Sequence, residues 1–351
     1  MKATEVDTNS LTNRMSCLDR KKEKTTWLIT GATGFLGALI AERAVKISKA
    51  AGARKMTLVL PVRDEQAVRK RLSALCDEPG VEIVPIVCDI TQLTPDRIPV
   101  ERADYLIHCA SPTDSVYMTT HPVETADAIV EGTRRALELA RHLCVRSMVY
   151  LSSMEVYGIV EDDGKPRAEE DLGEIPSASP RSSYPLGKRM AEFYCRSFFD
   201  EYGVPVKTAR LAQVFGCGVR PDDNRVFMQF ARTDVEKRDI VLQTTGQSYG
   251  NYCATEDALN AVFLILEKGE NGACYNVANE DCTMRIADMA RLVCDEIANG
   301  EIGVVFDNTA TGAQYAPQTG LRMSSAKLRG LGWKPETGMA DMYRQICREI
   351  K

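Results

Sequence analysis

No stretch of this chain is apolar for long enough to span a bilayer, and residues 1–24 lack the hydrophobic core of a secretory signal. Histidine is scarce: His108, His121 and His142 stand far apart, so no metal-ligand spacing is readable and structural roles are expected for them, with no metal site. The twelve cysteines include no Cys-x-x-Cys pair, and Cys88 and Cys109 sit in apolar runs. Free thiols in a reducing, cytoplasmic setting fit better than a disulfide framework. Positive charge is not in excess, with 44 Lys and Arg against 49 Asp and Glu and a net charge of −5, which argues against a nucleic-acid surface. There are no internal repeats and no low-complexity segments.

What remains is the composition of a soluble globular protein, 44% hydrophobic and 26% charged over 351 residues, enough for one large domain or two coupled ones. Strand-like runs at Trp27–Thr30, Met56–Val62, Val81–Val87, Tyr105–Cys109, Ser147–Leu151 and Val206–Leu211 are interleaved with helical patterns. These helical patterns cover Ala38–Ala50, Glu65–Cys76, Thr125–Leu143 and Tyr184–Tyr202. Such alternation predicts an α/β fold, a doubly wound parallel sheet of Rossmann type. Further helices are expected at Asn224–Glu236, Glu256–Lys268, Met284–Ala298 and Met339–Ile350, and Val160–Ser183 reads as a polar surface loop. The expected division is a polar leader over 1–24 and a nucleotide-binding domain over 25–215. Residues 216–351 then form mainly a smaller C-terminal α/β substrate lobe, with some segments returning to the sheet.

The first strand ends in Gly31-Ala32-Thr33-Gly34-Phe35-Leu36-Gly37 and passes at once into a helix pattern. A strand, a glycine turn and a helix start form the cradle for a dinucleotide pyrophosphate. Gly31 permits the tight turn, Gly34 lets the backbone approach the phosphates, and Gly37 lets the helix pack closely. The spacing is Gly-x-x-Gly-x-x-Gly, not the Gly-x-Gly-x-x-Gly fingerprint.

Tyr184 and Lys188 are one helical turn apart on one face. A phenol is a poor base at neutral pH. A nearby ammonium, with the positive charge of an oxidised nicotinamide, favours the phenolate, so Tyr184 is suited to exchange a proton with a substrate hydroxyl during hydride transfer. Ser152-Ser153-Met154-Glu155-Val156-Tyr157-Gly158 closes the fifth strand, where a serine hydroxyl either orients the reacting oxygen or caps the turn.

These pieces, with Cys88-Asp89-Ile90, His108-Cys109-Ala110-Ser111, Arg210-Leu211-Ala212-Gln213-Val214-Phe215-Gly216, Tyr275-Asn276-Val277 and Leu331-Gly332-Trp333-Lys334-Pro335, resemble an extended short-chain dehydrogenase/reductase of the nucleotide-sugar epimerase/dehydratase group. The resemblance runs from Thr26 to the C-terminus. It implies Ser153 as the catalytic hydroxyl, Tyr184 as acid/base, and Lys188 as the lysine that also holds the nicotinamide ribose. It implies cofactor contacts at Gly31, Thr33, Gly34, Phe35, Leu36 and Gly37, at Asp89 and Ile90 for the adenine, and at Ala110 and Ser111 beside the ribose and phosphates. It further implies substrate contacts at Ser153, Met154, Glu155 and Gln213. Relatives preferring NAD place an acid at the end of the second strand, where this chain has Val62 and then Arg63. A guanidinium suits a 2′-phosphate, so NADP is favoured over NAD, with Asp64 one residue away.

Glu155 matches a glutamate of relatives that dehydrate or decarboxylate the sugar and is either a proton abstractor or a structural hydrogen-bonding group; Met154 stands where an Asp-Glu dehydratase pair would have its Asp. Gln213 replaces an expected Asn, and Gly250 stands where relatives carry an arginine that contacts the substrate diphosphate; Arg220, Arg225 and Lys237 are the candidate substitutes. The expected activity is modification of a nucleotide-activated sugar through a transient keto form, with epimerase, dehydratase, decarboxylase and ketoreductase chemistry all open. A reductase of a small non-nucleotide carbonyl compound and a non-catalytic dinucleotide sensor are the alternatives. A homodimer is expected by resemblance, with Met190, Phe193, Tyr194 and Phe198 as candidate contacts that would serve equally as core.

Overall fold

The first strand, β1 (Lys24–Thr30), is buried at every residue after Lys24, as expected of a strand covered on both faces. It belongs to a computed structural model that describes residues 23–307 and 319–351, so all but the last two positions of the proposed leader lie outside the described residues. The strands that follow are β2 (Lys55–Val62), β3 (Val81–Val87), β4 (Tyr105–His108), β5 (Ser147–Ser153) and β6 (Val206–Leu211). Then come β7 (Gln213–Phe215), β8 (Ile240–Leu242), β9 (Tyr249–Ala254), β10 (Cys274–Val277), β11 (Asn279–Arg285) and β12 (Val304–Phe306). Seven of them form one sheet in the order β10-β6-β5-β4-β1-β2-β3. The pairs β3-β2, β2-β1, β1-β4 and β4-β5 are parallel. Chain order reverses between β1 and β4, and in such sheets ligands bind outside the carboxyl ends of the strands at that crevice. Strand β3 is the edge, only partly buried, and tolerates Pro85 for that reason.

The chain divides into two compact units. The first contains the described residues up to Leu151, with Ala178–Ala209 and Val262–Ala273. Its core joins Leu28, Val59 and Leu106 from the sheet to Ile129 and Leu137 on the helix Pro122–His142 and to Tyr184 and Ala191 on the helix Ser183–Tyr202. These two helices approach closely at Gly187, where a Cβ would stand 3.4 Å from Ile129. The second helix stops at Gly203, whose φ of +69° allows the left-handed cap and its bonds from Gly203 N to Phe199 O and from Val204 N to Phe198 O. The helical pattern Glu65–Cys76 is broken at Leu72 (φ −117°, ψ 29°) into Glu65–Arg71 and Ser73–Cys76.

The second unit holds Ser152–Ser177, Arg210–Ala261 and Cys274–Lys351. A three-stranded sheet β11-β9-β7 pairs β7 with β9 in parallel and β9 with β11 antiparallel. Phe215 stacks on Phe227 at 4.5 Å and meets Tyr252 and Tyr343 edge-on. The expected helix from Met284 begins later: Met284 and Arg285 complete β11, and the helix is Ile286–Leu292 followed by a π turn at Val293–Ile297. Cross-strand pairing of Met284 with Gly250 and Arg285 with Tyr249 overrides their helical pattern. The segment Val160–Ser183 is not simply a solvated loop. Glu169 is buried and accepts from Asn276 N at 2.7 Å, while Arg167 N donates to Arg322 O at 2.7 Å.

Candidate active site

The glycine turn shows what each glycine is for. Gly31 has φ +68°, and a Cβ on it would lie 2.8 Å from Ala110 N, because the loop after β4 crosses it. A Cβ on Gly37 would lie 2.1 Å from Gly31 O, so the close approach that Gly37 permits is to the turn itself. Around Gly34 the sole near atom is Gly31 O, at 3.2 Å. Gly34 N donates to Gly31 O at 3.0 Å, and the helix Phe35–Ala50 starts its ladder only with Ala38 N to Gly34 O. The N–H groups of Phe35, Leu36 and Gly37 therefore precede the first helical bond, and the first turn carries no acidic residue. That cradle fits a dinucleotide pyrophosphate.

Thr30, absent from the expected site, organises the cradle from below. Its Oγ1 accepts from Cys109 N and Ala110 N, each at 3.2 Å, and lies 2.7 Å from His108 Nδ1. With both lone pairs occupied, the hydroxyl hydrogen goes to Nδ1, so the His108 proton sits on Nε2 and points to Thr133 Oγ1 at 3.1 Å. Burial, and then the Lys188 ammonium, push His108 down to about 3, so it is neutral at neutral pH. A hydroxyl immediately before the glycine turn was the available sequence signal.

Tyr184 and Lys188 are both buried on the helix Ser183–Tyr202, at 8% and 2% exposure. Lys188 Nζ donates to Leu151 O at 2.9 Å, at the carboxyl end of β5. It lies 5.7 Å from the Tyr184 ring centre and 4.8 Å from that of Tyr150. Burial raises Cys109 to about 12 while Lys188 pulls the other way, a second sign that the ammonium charge reaches the end of β4. Thus Gly31 and Ala110 meet beyond the ends of β1 and β4, and Lys188 reaches the carboxyl end of β5, the strand beside β4.

The remaining cofactor candidates lie in the same unit. Arg63 is exposed just beyond β2, while Asp64 caps the next helix by accepting from Gln66 N at 2.9 Å. Asp89 Oδ1 accepts from Thr91 N and Thr91 Oγ1, and Ile90 packs where a Cβ on Gly132 would stand 3.0 Å away. Thr33, Ala110 and Ser111 are part-buried, and Ser111 Oγ donates to Pro112 O at 3.2 Å.

In the second unit, Ser153 Oγ accepts from Glu155 N at 3.2 Å, which leaves its hydrogen for another acceptor. Met154 and Glu155 are half-buried in the 3-10 turn Met154–Tyr157. Gln213 is half-buried and in register with Tyr252 on β9. Among the described residues no group of three or more His, Cys, Asp or Glu is placed to hold a metal ion.

Residues 27–278 match the NAD dependent epimerase/dehydratase family. The chain belongs to that family. Among its relatives, the dTDP-D-glucose 4,6-dehydratase of Bos taurus is 24% identical over 312 residues, 88% of this chain and 84% of that protein. UDP-glucuronic acid decarboxylase 3 of Arabidopsis thaliana is 25% identical over 315 residues, 90% of this chain and 85% of that one. The UDP-glucuronic acid 4-epimerase of Bacillus cereus, solved with UDP-glucuronic acid and NAD, has a TM-score of 0.73 at 18% identity, covering 93% of this chain and 99% of its own.

Several segments singled out in the sequence prove to be structural locks. Tyr157, Arg210, Glu169 and Asn276 form one buried network: Tyr157 Oη lies 2.8 Å from Asn276 Oδ1, and Arg210 Nη1 donates to Tyr157 Oη at 3.2 Å and to Glu169 O at 2.6 Å. Burial raises the Tyr157 phenol to about 12 against the pull of Arg210, so it is a neutral hydroxyl. Trp333 Nε1 donates to Asp257 O, and the Asp257 carboxylate accepts from Glu336 N and Thr337 N, each at 3.0 Å. Asn251 holds Leu321 O and Met323 N.

The Gly250 position is closed to a longer side chain by its own strand. A Cβ there would be 2.3 Å from Tyr252 Oη. The three expected substitutes for the missing arginine are already neutralised: Arg220 by Asp222, Arg225 by Asp223, and Lys237 by Asp234 and Glu301.

Proposed function

We propose that this protein modifies a nucleotide-activated sugar through a transient keto intermediate, with Tyr184 as proton donor and acceptor, Lys188 as its charged neighbour and Ser153 as hydrogen-bond partner of the reacting oxygen. The bound nicotinamide would supply the hydride acceptor or donor. The carrying observation is the buried Lys188 ammonium, held on Leu151 O at the carboxyl end of β5 and one helical turn from Tyr184, in the same parallel sheet whose β1 leads into the glycine cradle. An ammonium there favours a phenolate in the transition state and orients the phenol helix against the sheet. Ser153, whose oxygen is occupied by Glu155 N, is left as a donor, which suits a developing alkoxide or carbonyl oxygen. Glu155 is the candidate for proton abstraction next to the ketone. Incubation with a panel of nucleotide sugars and either dinucleotide, followed by chromatography that resolves epimers and by mass spectrometry, separates loss of water, loss of carbon dioxide, gain of two hydrogens and isomerisation at unchanged mass; no product from any nucleotide sugar would reject the assignment. The closed Gly250 position favours a second reading, reduction of a small carbonyl compound that needs no diphosphate contact.

The proposed cofactor is NADP in preference to NAD. Engagement of Asp64 as a helix cap supports this, because it leaves Arg63 as the group open to a 2′-phosphate. Arg63→Ala is expected to weaken NADP binding about tenfold or more and NAD binding little, measured by fluorescence titration. Equal effects on the two cofactors would reject the preference.

A homodimer is also proposed. Leu186, Met190 and Phe193 lie on one stripe of the helix Ser183–Tyr202 and are 38%, 46% and 63% exposed, whereas Tyr194 and Phe198 pack against the core. Charge on that stripe, as in Met190→Glu with Phe193→Glu, is expected to convert a dimer to a monomer in sedimentation velocity; a wild-type monomer would dispose of the idea. The free cysteines of the described residues support a reducing, cytoplasmic location, and no helix among those residues is long and apolar enough to cross a membrane.

A further inference from the structure

We infer that Arg285 and Arg322, gathered around Tyr249, form the binding site for the phosphate groups of the substrate; the inference rests on the nucleotide-sugar reading above. Arg285 is paired in register with Tyr249 across β11 and β9, and its guanidinium carbon is 5.3 Å from the Tyr249 ring centre. Arg322 approaches the same ring at 4.0 Å. The backbone fixes both supports: Tyr249 N donates to Thr319 O at 3.0 Å, and Arg167 N donates to Arg322 O at 2.7 Å.

The charges of this cluster do not balance. Arg322 is paired with Asp162 at 2.7 Å, while Arg285 has no carboxylate partner among the described residues. Arg285 Nε is buried and meets no acceptor among the described residues. A buried charged donor without an acceptor is costly, and guanidinium forks match phosphate oxygens in pairs. A doubly negative diphosphate supplies the acceptor for Nε and the charge that the cluster lacks. The Tyr249 ring, which both guanidinium groups approach, holds them in place before the anion arrives. Arg322 is paired as Arg220, Arg225 and Lys237 are, so what sets this cluster apart is Arg285, whose Nε has no acceptor among the described residues and which approaches the same ring as Arg322. Nothing in the sequence near Gly250 pointed to this pair. It becomes visible only because Arg285 leaves the expected helix to lie opposite Tyr249 and because the chain returns at Thr319 beside the same residue.

The test is calorimetric titration of the full-length, dinucleotide-loaded protein with UDP, dTDP, GDP, CDP and ADP. At least one of these diphosphates is expected to bind the wild type, and Arg285→Gln and Arg322→Gln are each expected to weaken that binding about tenfold or more. Arg285→Lys, which keeps the charge but not the fork, should retain more affinity than Arg285→Gln, while Arg220→Gln and Arg225→Gln change it little. Unchanged affinity in both Gln variants overturns the site and leaves the nucleotide-sugar reading standing. Equal losses for Arg285→Lys and Arg285→Gln, accompanied by a lower melting temperature, overturn it in favour of a structural role. Failure of the wild type to bind any of the diphosphates overturns both.

Discussion

Tyr184→Phe is expected to lower kcat about a thousandfold while the dissociation constant for the dinucleotide changes little. General acid–base catalysis contributes roughly 10²–10⁴-fold, and here the phenol oxygen is the only atom removed. The ring is buried and packs in the core with Ile129 and Ala191, so the Phe ring keeps the helix Ser183–Tyr202 in place. Lys188 keeps its bond to Leu151 O, so the charge near the sheet edge is undisturbed. The measurement is single-turnover kinetics beside a cofactor titration. Turnover unchanged by the loss of the hydroxyl would remove Tyr184 from the mechanism and leave the dinucleotide fold without an assigned proton donor.

Replacing Gly37 by Ala should harm both stability and cofactor binding, and replacing Gly34 by Ala should harm cofactor binding more than stability. The added methyl at 37 would lie 2.1 Å from the Gly31 carbonyl oxygen, a backbone atom that cannot rotate away. Either the helix start or the turn must move, at about 1–3 kcal/mol or more by analogy with overpacked cores. Because Gly31 is itself held against Ala110 N, movement of the turn spreads to the loop after β4 and to the bonds made by Thr30 Oγ1. Dinucleotide affinity is then expected to fall on the order of a hundredfold, several charge-assisted N–H contacts being displaced together. The methyl at 34 meets Gly31 O at 3.2 Å, a tight contact that needs a shift of only a few tenths of an ångström, so the cost to the fold is smaller than at 37 and most of the loss falls on whatever approaches that side. Thermal melting with and without cofactor distinguishes the two variants. A Gly37→Ala protein with the wild-type melting temperature and affinity would refute this account of the turn.

The alternation of strands and helices was legible because each element of the first unit carries its own signal. β1 carries the apolar run Trp27-Leu28-Ile29, β2 is apolar over most of its length, and the helix Ser183–Tyr202 ends at Gly203 in a left-handed cap. The helical pattern at Met284 misled for a physical reason. Its apolar spacing fits either state, and pairing with Gly250 and Tyr249, remote in sequence, decides for the strand. Leu72 breaks one helical pattern into two without a proline or glycine to announce it.

Within the site, local spacing determined the glycine cradle and the Tyr184–Lys188 pair, since a turn and an i, i+4 contact are geometries of neighbouring residues. The sequence also determined the family, through the order of its short segments. Only the tertiary structure decided that Lys237 meets Glu301 and Arg322 meets Asp162, that Thr30 lies against His108, and that the loop after β4 crosses Gly31. Each of these depends on atoms brought together from separate parts of the chain, and hydrogen-bond capacity, desolvation and steric exclusion are properties of that assembled neighbourhood rather than of any one residue.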